Sequence, residues 1–411
     1  MRLSRRAFLT LSGVATFSLL TTQARARPVV EKVDRIKNEP SERSDAITLF
    51  LCGDVMTGRG IDQVLPHPSD PRLCELYMTS AVGYVELAEK LNGPIPKPVD
   101  FSYIWGDALE ELERVRPEVR IINLETSVTK SENCLPKGIN YRMNPENIPC
   151  ITAAKVDCCA LANNHVLDWG YPGLRETLET LAKANVKGAG AGRDIKHAEA
   201  PAIMDITGKG RVIVFSFGTV SSGIPREWAA SENEPGVNLL EDLSRRTVGH
   251  VAASVQEVKR PGDIIVASIH WGANWGYQVS RQQINFAHGL IDEAGVDVIH
   301  GHSSHHAKAI EVYKDKPILY GCGDFLSDYE GISGYEEFRD DLALMYFPTI
   351  APSSGNLVRL TMTPLRIRNF RLNHTSREDS RWLRDVLNRE GKRFGTRVEL
   401  KENNTLMLGW A

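Results

Sequence analysis

The chain has 411 residues, a formal net charge of −3, 42% hydrophobic and 25% charged residues. That is the composition of a globular chain with a sizeable core, and it excludes a disordered chain, a collagen-like chain and a polytopic membrane protein. No basic excess points to nucleic acid as a partner.

The first 26 residues contain Arg2, Arg5, Arg6 and Arg25 and no acid, so setting them aside shifts the formal charge to −7. They carry the parts of an export signal. Ser4-Arg5-Arg6-Ala7-Phe8-Leu9 has the form of a twin-arginine motif, an apolar stretch runs from Ala7 to Leu20, and Ala24-Arg25-Ala26 supplies small residues for cleavage. The stretch falls short of the roughly 20 residues that a bilayer span needs. The expected product is therefore periplasmic or extracellular, with no stable membrane span after cleavage. Residues 27–44, polar and broken by Pro28 and Pro40, read as a linker.

Short apolar runs follow, each suited to a strand covered on both faces. They are Ile47 to Cys52, Val119 to Leu124, Val156 to Ala162, Val212 to Phe217, Ile264 to Ile269, Val296 to His300 and Ile318 to Tyr320. Helical spacing lies between them, at Leu174, Leu178 and Leu181 behind Pro172, and again from Arg281 to Glu293. This alternation predicts a layered α/β domain over 45–330. Residues 331–411 read as a strand-rich extension, with Leu342 to Leu372 forming an antiparallel edge or a second sheet and one helix near Arg381 to Arg393.

Seven cysteines leave at least one thiol unpaired, and no C-x-x-C pair suggests a thiolate zinc site. Cys52, Cys158, Cys159 and Cys322 lie in or beside strand-like runs and read as buried thiols. A disulfide among Cys74, Cys134 and Cys150 is open.

Polar residues concentrate where the apolar runs end. Asp54 follows the first, Asn123 and Glu125 flank the end of the second, and Asn163, Asn164 and His165 follow the third. His270 ends the run from Ile264, while His300, His302, His305 and His306 follow the run from Val296. Asp324 comes after Ile318 to Tyr320. Ligands of α/β sheets bind at the carboxyl ends of strands. Six of the eleven histidines fall between His270 and His306, and imidazole mixed with carboxylate suits zinc, manganese or iron.

These blocks, in order Gly53-Asp54-Val55-Met56-Thr57-Gly58-Arg59, Asn123-Leu124-Glu125, Asn163-Asn164-His165-Val166-Leu167-Asp168-Trp169-Gly170, His270-Trp271-Gly272, Gly301-His302-Ser303-Ser304-His305 and Gly321-Cys322-Gly323-Asp324-Phe325, resemble the CapA (PgsA) family of poly-γ-glutamate capsule biosynthesis proteins. That family is similar to the calcineurin-like metallophosphoesterases, and the resemblance covers about residues 46–330. It implies a sandwich of two mixed β-sheets flanked by helices and a cleft for two divalent metal ions. Asp54 and His305 would serve the first metal, Glu125 would bridge, and Asn164, His270 and His302 would serve the second. His165, with Asn164, would carry catalysis by contacting the substrate, stabilising charge or protonating a leaving group. The implied substrate is a phosphoester or another anionic, polymer-linked bond, amide hydrolysis included, and the implied partners are synthase components. A non-catalytic, polymer-binding or export component with a vestigial metal site is the alternative.

The resemblance is incomplete. Met56 stands where phosphoesterases place a histidine, and a thioether is a poor ligand for hard cations. Asp324 replaces the usual asparagine of the closing motif, as an outer partner of a histidine or as a surface charge. Arg59 and Arg142 are candidates for pairing with a substrate anion, or solvated loop arginines. Asn123 is a candidate outer partner, and Asp168 either caps the helix at Pro172 or orients His165. Trp271, Trp275 and Tyr277 either wall the cleft or sit in the core.

Overall fold

The structure, a computed structural model, describes residues 45–411. The expected export segment and the linker through residue 44 lie outside the described residues. All described residues fall within one unit.

The principal strands are β1 (Ile47–Val55), β2 (Val119–Leu124), β3 (Cys158–Ala160), β4 (Lys187–Ala189), β5 (Ala202–Ile206), β6 (Gly210–Gly218), β7 (Ile264–His270), β8 (Val298–His302), β9 (Ile310–Tyr313), β10 (Lys316–Leu319), β11 (Asp324–Leu326), β12 (Leu342–Ala351), β13 (Asn356–Arg368), β14 (Arg371–His374), β15 (Thr396–Leu400) and β16 (Leu406–Trp410). The principal helices are α1 (Val82–Asn92), α2 (Ala108–Val115), α3 (Gly170–Lys183), α4 (Arg245–Val258), α5 (Arg281–Asp292) and α6 (Arg377–Gly391). A ten-stranded sheet runs β15-β16-β13-β12-β1-β2-β3-β4, with β11 paired to β1 and β14 to β13. A six-stranded sheet runs β9-β10-β8-β7-β6-β5. Both are mixed. β1, β2, β3 and β4 are parallel neighbours, as are β6, β7, β8 and β10, while β12 joins β1 antiparallel.

Side-chain alternation along each strand builds the layers. Ile47, Leu49 and Leu51 of β1 meet Val212 and Val214 of β6, Ile264 and Val266 of β7 and Val298 of β8 between the sheets. Phe50 and Cys52, on the opposite face of β1, pack under Val85, Leu112 and Leu174 of α1, α2 and α3. Phe215 and Ile269 pack under Val251 of α4 and Leu290 of α5. The result is a four-layer sandwich, the layered α/β domain that the alternation predicts in the two-sheet form that the family resemblance implies.

The region after residue 330 forms no second sheet; it adds antiparallel to one side of the large sheet, with β15 at the sheet's end, and β12 hydrogen-bonds β1 in register Ile47↔Ile350, Thr48↔Thr349 and Leu51↔Tyr346. β12 is buried along its whole length, so the large sheet depends on it for half its width. The helix near Arg381 forms as α6, opened by Ser376, whose hydroxyl accepts from the Asp379 amide.

Candidate metal and catalytic site

Strand register brings the polar residues together. Asp54 is opposite Asn123 on β2 and opposite Asp324 on β11. In the smaller sheet His270, at the end of β7, is opposite His302, at the end of β8. Each polar residue ends a run whose apolar neighbours are buried, so burial of the strands carries these groups to the same end of the sandwich.

Two overlapping groups result, Asp54–His270–His302 and Asp54–His305–Asp324, in each of which the candidate ligand atoms lie within 4.8 Å of one another. His270 Nδ1 is 2.8 Å from His302 Nδ1, and His270 Nε2 is 2.9 Å from Asn164 Oδ1. Glu125 Oε1 lies 3.8 Å from His270 Nε2 and equally far from His165 Nε2. Asn123 Nδ2 donates to Asp54 Oδ1 at 2.7 Å and to Glu125 Oε2 at 3.2 Å, holding the two carboxylates side by side.

The electrostatics fit a cation. Burial pushes the Asp54 carboxyl up to about 7, with the Asp324 charge adding to it. Burial and the Asp54 charge push Glu125 well above the carboxylate range, and burial raises Asp324. Asp54 Oδ2 and Asp324 Oδ2 are buried with no hydrogen-bond partner. Burial also holds His270 and His302 far below their ordinary range, hence neutral, with lone pairs available. Buried carboxylates short of partners beside neutral imidazoles are the donor set of a transition-metal site.

Around this set lies a second layer of contacts. His305 Nδ1 donates to Asp324 Oδ1 at 2.8 Å. Burial alone would lower the His305 pKa, but the Asp324 charge holds it above the ordinary value. Asp324 is 1% exposed, so the surface-charge alternative is excluded. It partners a histidine and also offers an oxygen to the cluster. His165 Nδ1 donates to Asp168 Oδ2 at 2.6 Å, and burial lowers its pKa to about 4. Asp168 therefore orients His165. It does not cap α3, whose N-cap position is Trp169 with no side-chain cap.

The stretch that carries these residues matches a known family. The model of the bacterial capsule synthesis protein PGA_cap matches residues 48–329. The chain belongs to the PGA_cap family. It is 50% identical over 364 residues to a probable polyglutamine synthesis accessory protein of Mycobacterium tuberculosis, covering 88% of this chain and 96% of that one. It is 27% identical over 304 residues to the PGA biosynthesis protein CapA of Bacillus subtilis, covering 74% and 68%. With the capsule biosynthesis protein CapA of Bacillus anthracis the identity is 22% over 317 residues, covering 77% and 67%.

Several candidates in this PGA_cap chain are placed elsewhere. Arg59 does not face a substrate: its guanidinium is paired with Asp328 and Glu75, bonded to Tyr84, and stacked 4.4 Å from the Tyr141 ring. Arg142 is also turned away, its two terminal nitrogens donating to the Ser131 and Asp70 carbonyls while it covers Trp169. His300 bonds the Cys52 carbonyl and Ser268 and is structural. Trp271 is core and donates to the Tyr320 carbonyl. Trp275 does flank the site, 5.3 Å from His305 and stacked on Tyr335 at 3.9 Å. Met56 is fully buried and accepts a 3.6 Å contact from the Tyr329 hydroxyl. The disulfide is Cys74–Cys134, and Cys150 is a free, buried thiol.

Sequence reasoning gave Asn163 no role and missed three further contributors. Asn163 bonds Leu124 O and Asn123 Oδ1 through Nδ2 and accepts from the His165 and Val166 amides through Oδ1, locking the His165 turn to the end of β2. Its place beside Asn164 was the available signal. Lys137 donates to Asp168 Oδ1 at 2.7 Å. Asn274 Nδ2 contacts His305 Nε2 at 3.0 Å. Tyr329 meets His305 edge-on at 5.4 Å. These last three lie on loops, where no local pattern marks them.

Proposed function

We propose that this chain is an exported accessory protein of poly-γ-glutamate capsule synthesis whose strand-end cleft hydrolyses an anionic substrate with the help of two divalent metal ions. The names of its relatives support the accessory role in capsule synthesis, and the twin-arginine-type motif Ser4-Arg5-Arg6-Ala7-Phe8-Leu9 supports export. The hydrolytic part rests on one observation, the pair of buried and unpartnered oxygens Asp54 Oδ2 and Asp324 Oδ2 beside neutral His270 and His302.

In this reading Asp54, His305 and Asp324 would hold one cation, Asn164, His270 and His302 would hold the other, and Glu125 would offer a carboxylate to either. Such cations, when bound, polarise a phosphoryl or acyl oxygen and lower the pKa of water. The chain's own residues manage the proton. Because Nδ1–H of His165 is committed to Asp168, its neutral ring presents Nε2 as an acceptor. A proton taken at Nε2 creates an imidazolium that Asp168 stabilises, and the same nitrogen returns it to the leaving oxygen. Tyr141, edge-on to His165 at 4.6 Å, limits the ring's rotation.

The test is hydrolysis of phosphodiester and poly-γ-glutamate substrates by the purified chain, with elemental analysis. Two metal equivalents, loss of turnover on chelation and loss in Asn164→Ala and His165→Ala are the expected results. Turnover that survives all three overturns the reading.

A second reading is favoured by Met56. With a thioether where phosphoesterases place a histidine, the first cation site has fewer hard donors, and the chain would serve capsule synthesis by binding polymer or synthase without turnover. Polymer binding that persists in metal-free protein lacking hydrolysis supports it.

A further inference from the structure

Lys137 reaches the His165–Asp168 pair from a loop with little structure of its own. Residues 129–141 form no helix or strand. The Lys137 ammonium nevertheless meets four groups. It donates to Asp168 Oδ1 at 2.7 Å and to the Asn164 carbonyl, lies 3.4 Å from His165 Nδ1, and sits 5.2 Å from the Trp228 ring. Asp168 thus divides its oxygens, Oδ1 to Lys137 and Oδ2 to His165 and the Tyr141 amide. Removing the ammonium frees one oxygen and lets the carboxylate turn, and the His165 ring turns with it. A lysine loses much rotamer freedom when held this way, so something must fix the loop.

The Leu135 amide donates to the Asp168 carbonyl at 2.8 Å and the Asn140 side chain to the Leu135 carbonyl, and a further anchor is covalent. Cys134, three residues before Lys137, is bonded to Cys74. The neighbour of Cys74, Glu75, accepts from Arg59, Tyr84 and the Asn140 amide, which ties the far side of the bridge to the Arg59 ion-pair cluster. The hydrophobic clusters that hold the two sheets contain neither Cys74 nor Cys134. The five other cysteines are buried free thiols. The bridge therefore lies outside the sandwich cores and fastens the Lys137 loop three residues from the ammonium, beside Leu135, which packs on the core.

We propose that the Cys74–Cys134 disulfide sets Lys137 on the His165–Asp168 pair, making Lys137 a positioning residue and the site's assembly dependent on an oxidised bridge. The catalytic consequence rests on the reading of His165 given above. The chemistry is thiol–disulfide exchange with an external dithiol: the S–S bond breaks, both cysteines gain a proton and an electron, and the dithiol closes to its own disulfide.

Amine acylation of the full chain with an N-hydroxysuccinimide ester, mapped by peptide mass spectrometry before and after dithiothreitol, tests the coupling without any activity. Lys137 is expected to gain at least about fivefold in labelling on reduction and in Cys134→Ser, since it gives up its partners on local opening. Lys209, held by Glu118 and the Ala46 carbonyl, serves as the unchanged control, with circular dichroism to show that the fold persists. Equal Lys137 labelling in both states overturns the proposal. In kinetics, Lys137→Ala and reduction should each lower kcat about tenfold with KM little changed, and together no further, as for two changes acting through one contact. Turnover indifferent to reduction also overturns it. If the oxidised wild type hydrolyses nothing while Lys137 still responds to the bridge, the catalytic reading fails and the coupling stands.

Discussion

Asp54 and Asp324 face each other in register across the parallel pair β1 and β11, each with its Oδ2 buried and unpartnered. Two carboxylates so placed repel one another and have lost their hydration, a cost that a bound cation removes. Divalent manganese or zinc should therefore raise the melting temperature of metal-free protein by several degrees, because binding to the folded state alone stabilises it. Asp54→Asn should abolish that rise while leaving the metal-free protein as stable as the wild type or more so. A scanning-fluorimetry titration decides it; an equal rise in Asp54→Asn would show that the cation binds elsewhere.

The same pair sets a pH dependence. The Asp54 carboxyl is raised from 3.8 to about 7, first by burial and then by Asp324, with His305, Glu125 and Asn123 acting the other way. Asp340, facing the same cluster, is raised to about 6 by burial and then by Asp324. A carboxyl raised on folding stabilises fully below its unfolded pKa, and that contribution is lost as pH rises through the folded value. Metal-free protein should lose melting temperature between about pH 4 and pH 7. Cation affinity should move the opposite way, rising over that window as protons leave the ligands. Calorimetry in buffers of different ionisation enthalpy reads the released protons, and a pH-independent affinity would contradict the assignment.

The order of strands and helices was legible because short apolar runs and 3.6-residue spacing are local signals. Asp54, Asn123, His270 and His302 were legible for the same reason, as polar residues closing buried runs. What local pattern does not carry is which strand pairs with which across long separations. Hence Leu342 to Leu372 read as an antiparallel edge or a second sheet, and that they join β1 rather than another strand emerges only from the assembled sheet. Lys137, Asn274 and Tyr329 arrive on loops whose course depends on the assembled sandwich. Arg59 misleads because it follows Asp54 so closely: its backbone, at φ 49° and ψ −118°, turns the side chain back toward Asp328.

Arg59 is accordingly predicted to be a stability residue. Its side chain and those of Asp328 and Glu75 are each at most 1% exposed. Arg59→Met removes the cation and leaves two buried carboxylates without it, which should cost about 3–5 kcal/mol of unfolding free energy in denaturant titrations. A loss of substrate affinity at unchanged stability would return Arg59 to the substrate.

Asp168→Asn separates orientation from charge. An asparagine preserves the shape but can present its amide NH₂ to His165 Nδ1, favouring the tautomer with the proton on Nε2. Turnover should fall by about 10²–10⁴, while losing the ionic bond to Lys137 costs only about 1–3 kcal/mol of stability. Imidazole ¹⁵N shifts of His165 report the tautomer directly. Unchanged turnover with a changed tautomer would remove His165 from proton transfer.

Met56 offers a gain-of-function test. It is fully buried at the end of β1, its amide bonded to the Leu326 carbonyl and its sulfur touching the Tyr329 hydroxyl. Tyr329 in turn packs edge-on against His305, so Tyr329 links the Met56 sulfur to the Asp54–His305–Asp324 group. An imidazole is a far better donor than a thioether for manganese, iron or zinc. Met56→His should therefore strengthen the weaker of two cation-binding steps by at least about tenfold, equivalent to about 1.4 kcal/mol. The stronger step, at Asn164, His270 and His302, should be unaffected. Competition titrations with a chelator separate the two steps. If only the weak step tightens, Met56 is what weakens the first site, and turnover in Met56→His should rise at limiting metal. If neither step moves, the Met56 side chain does not face the cation, and the weakness must be sought in Asp324.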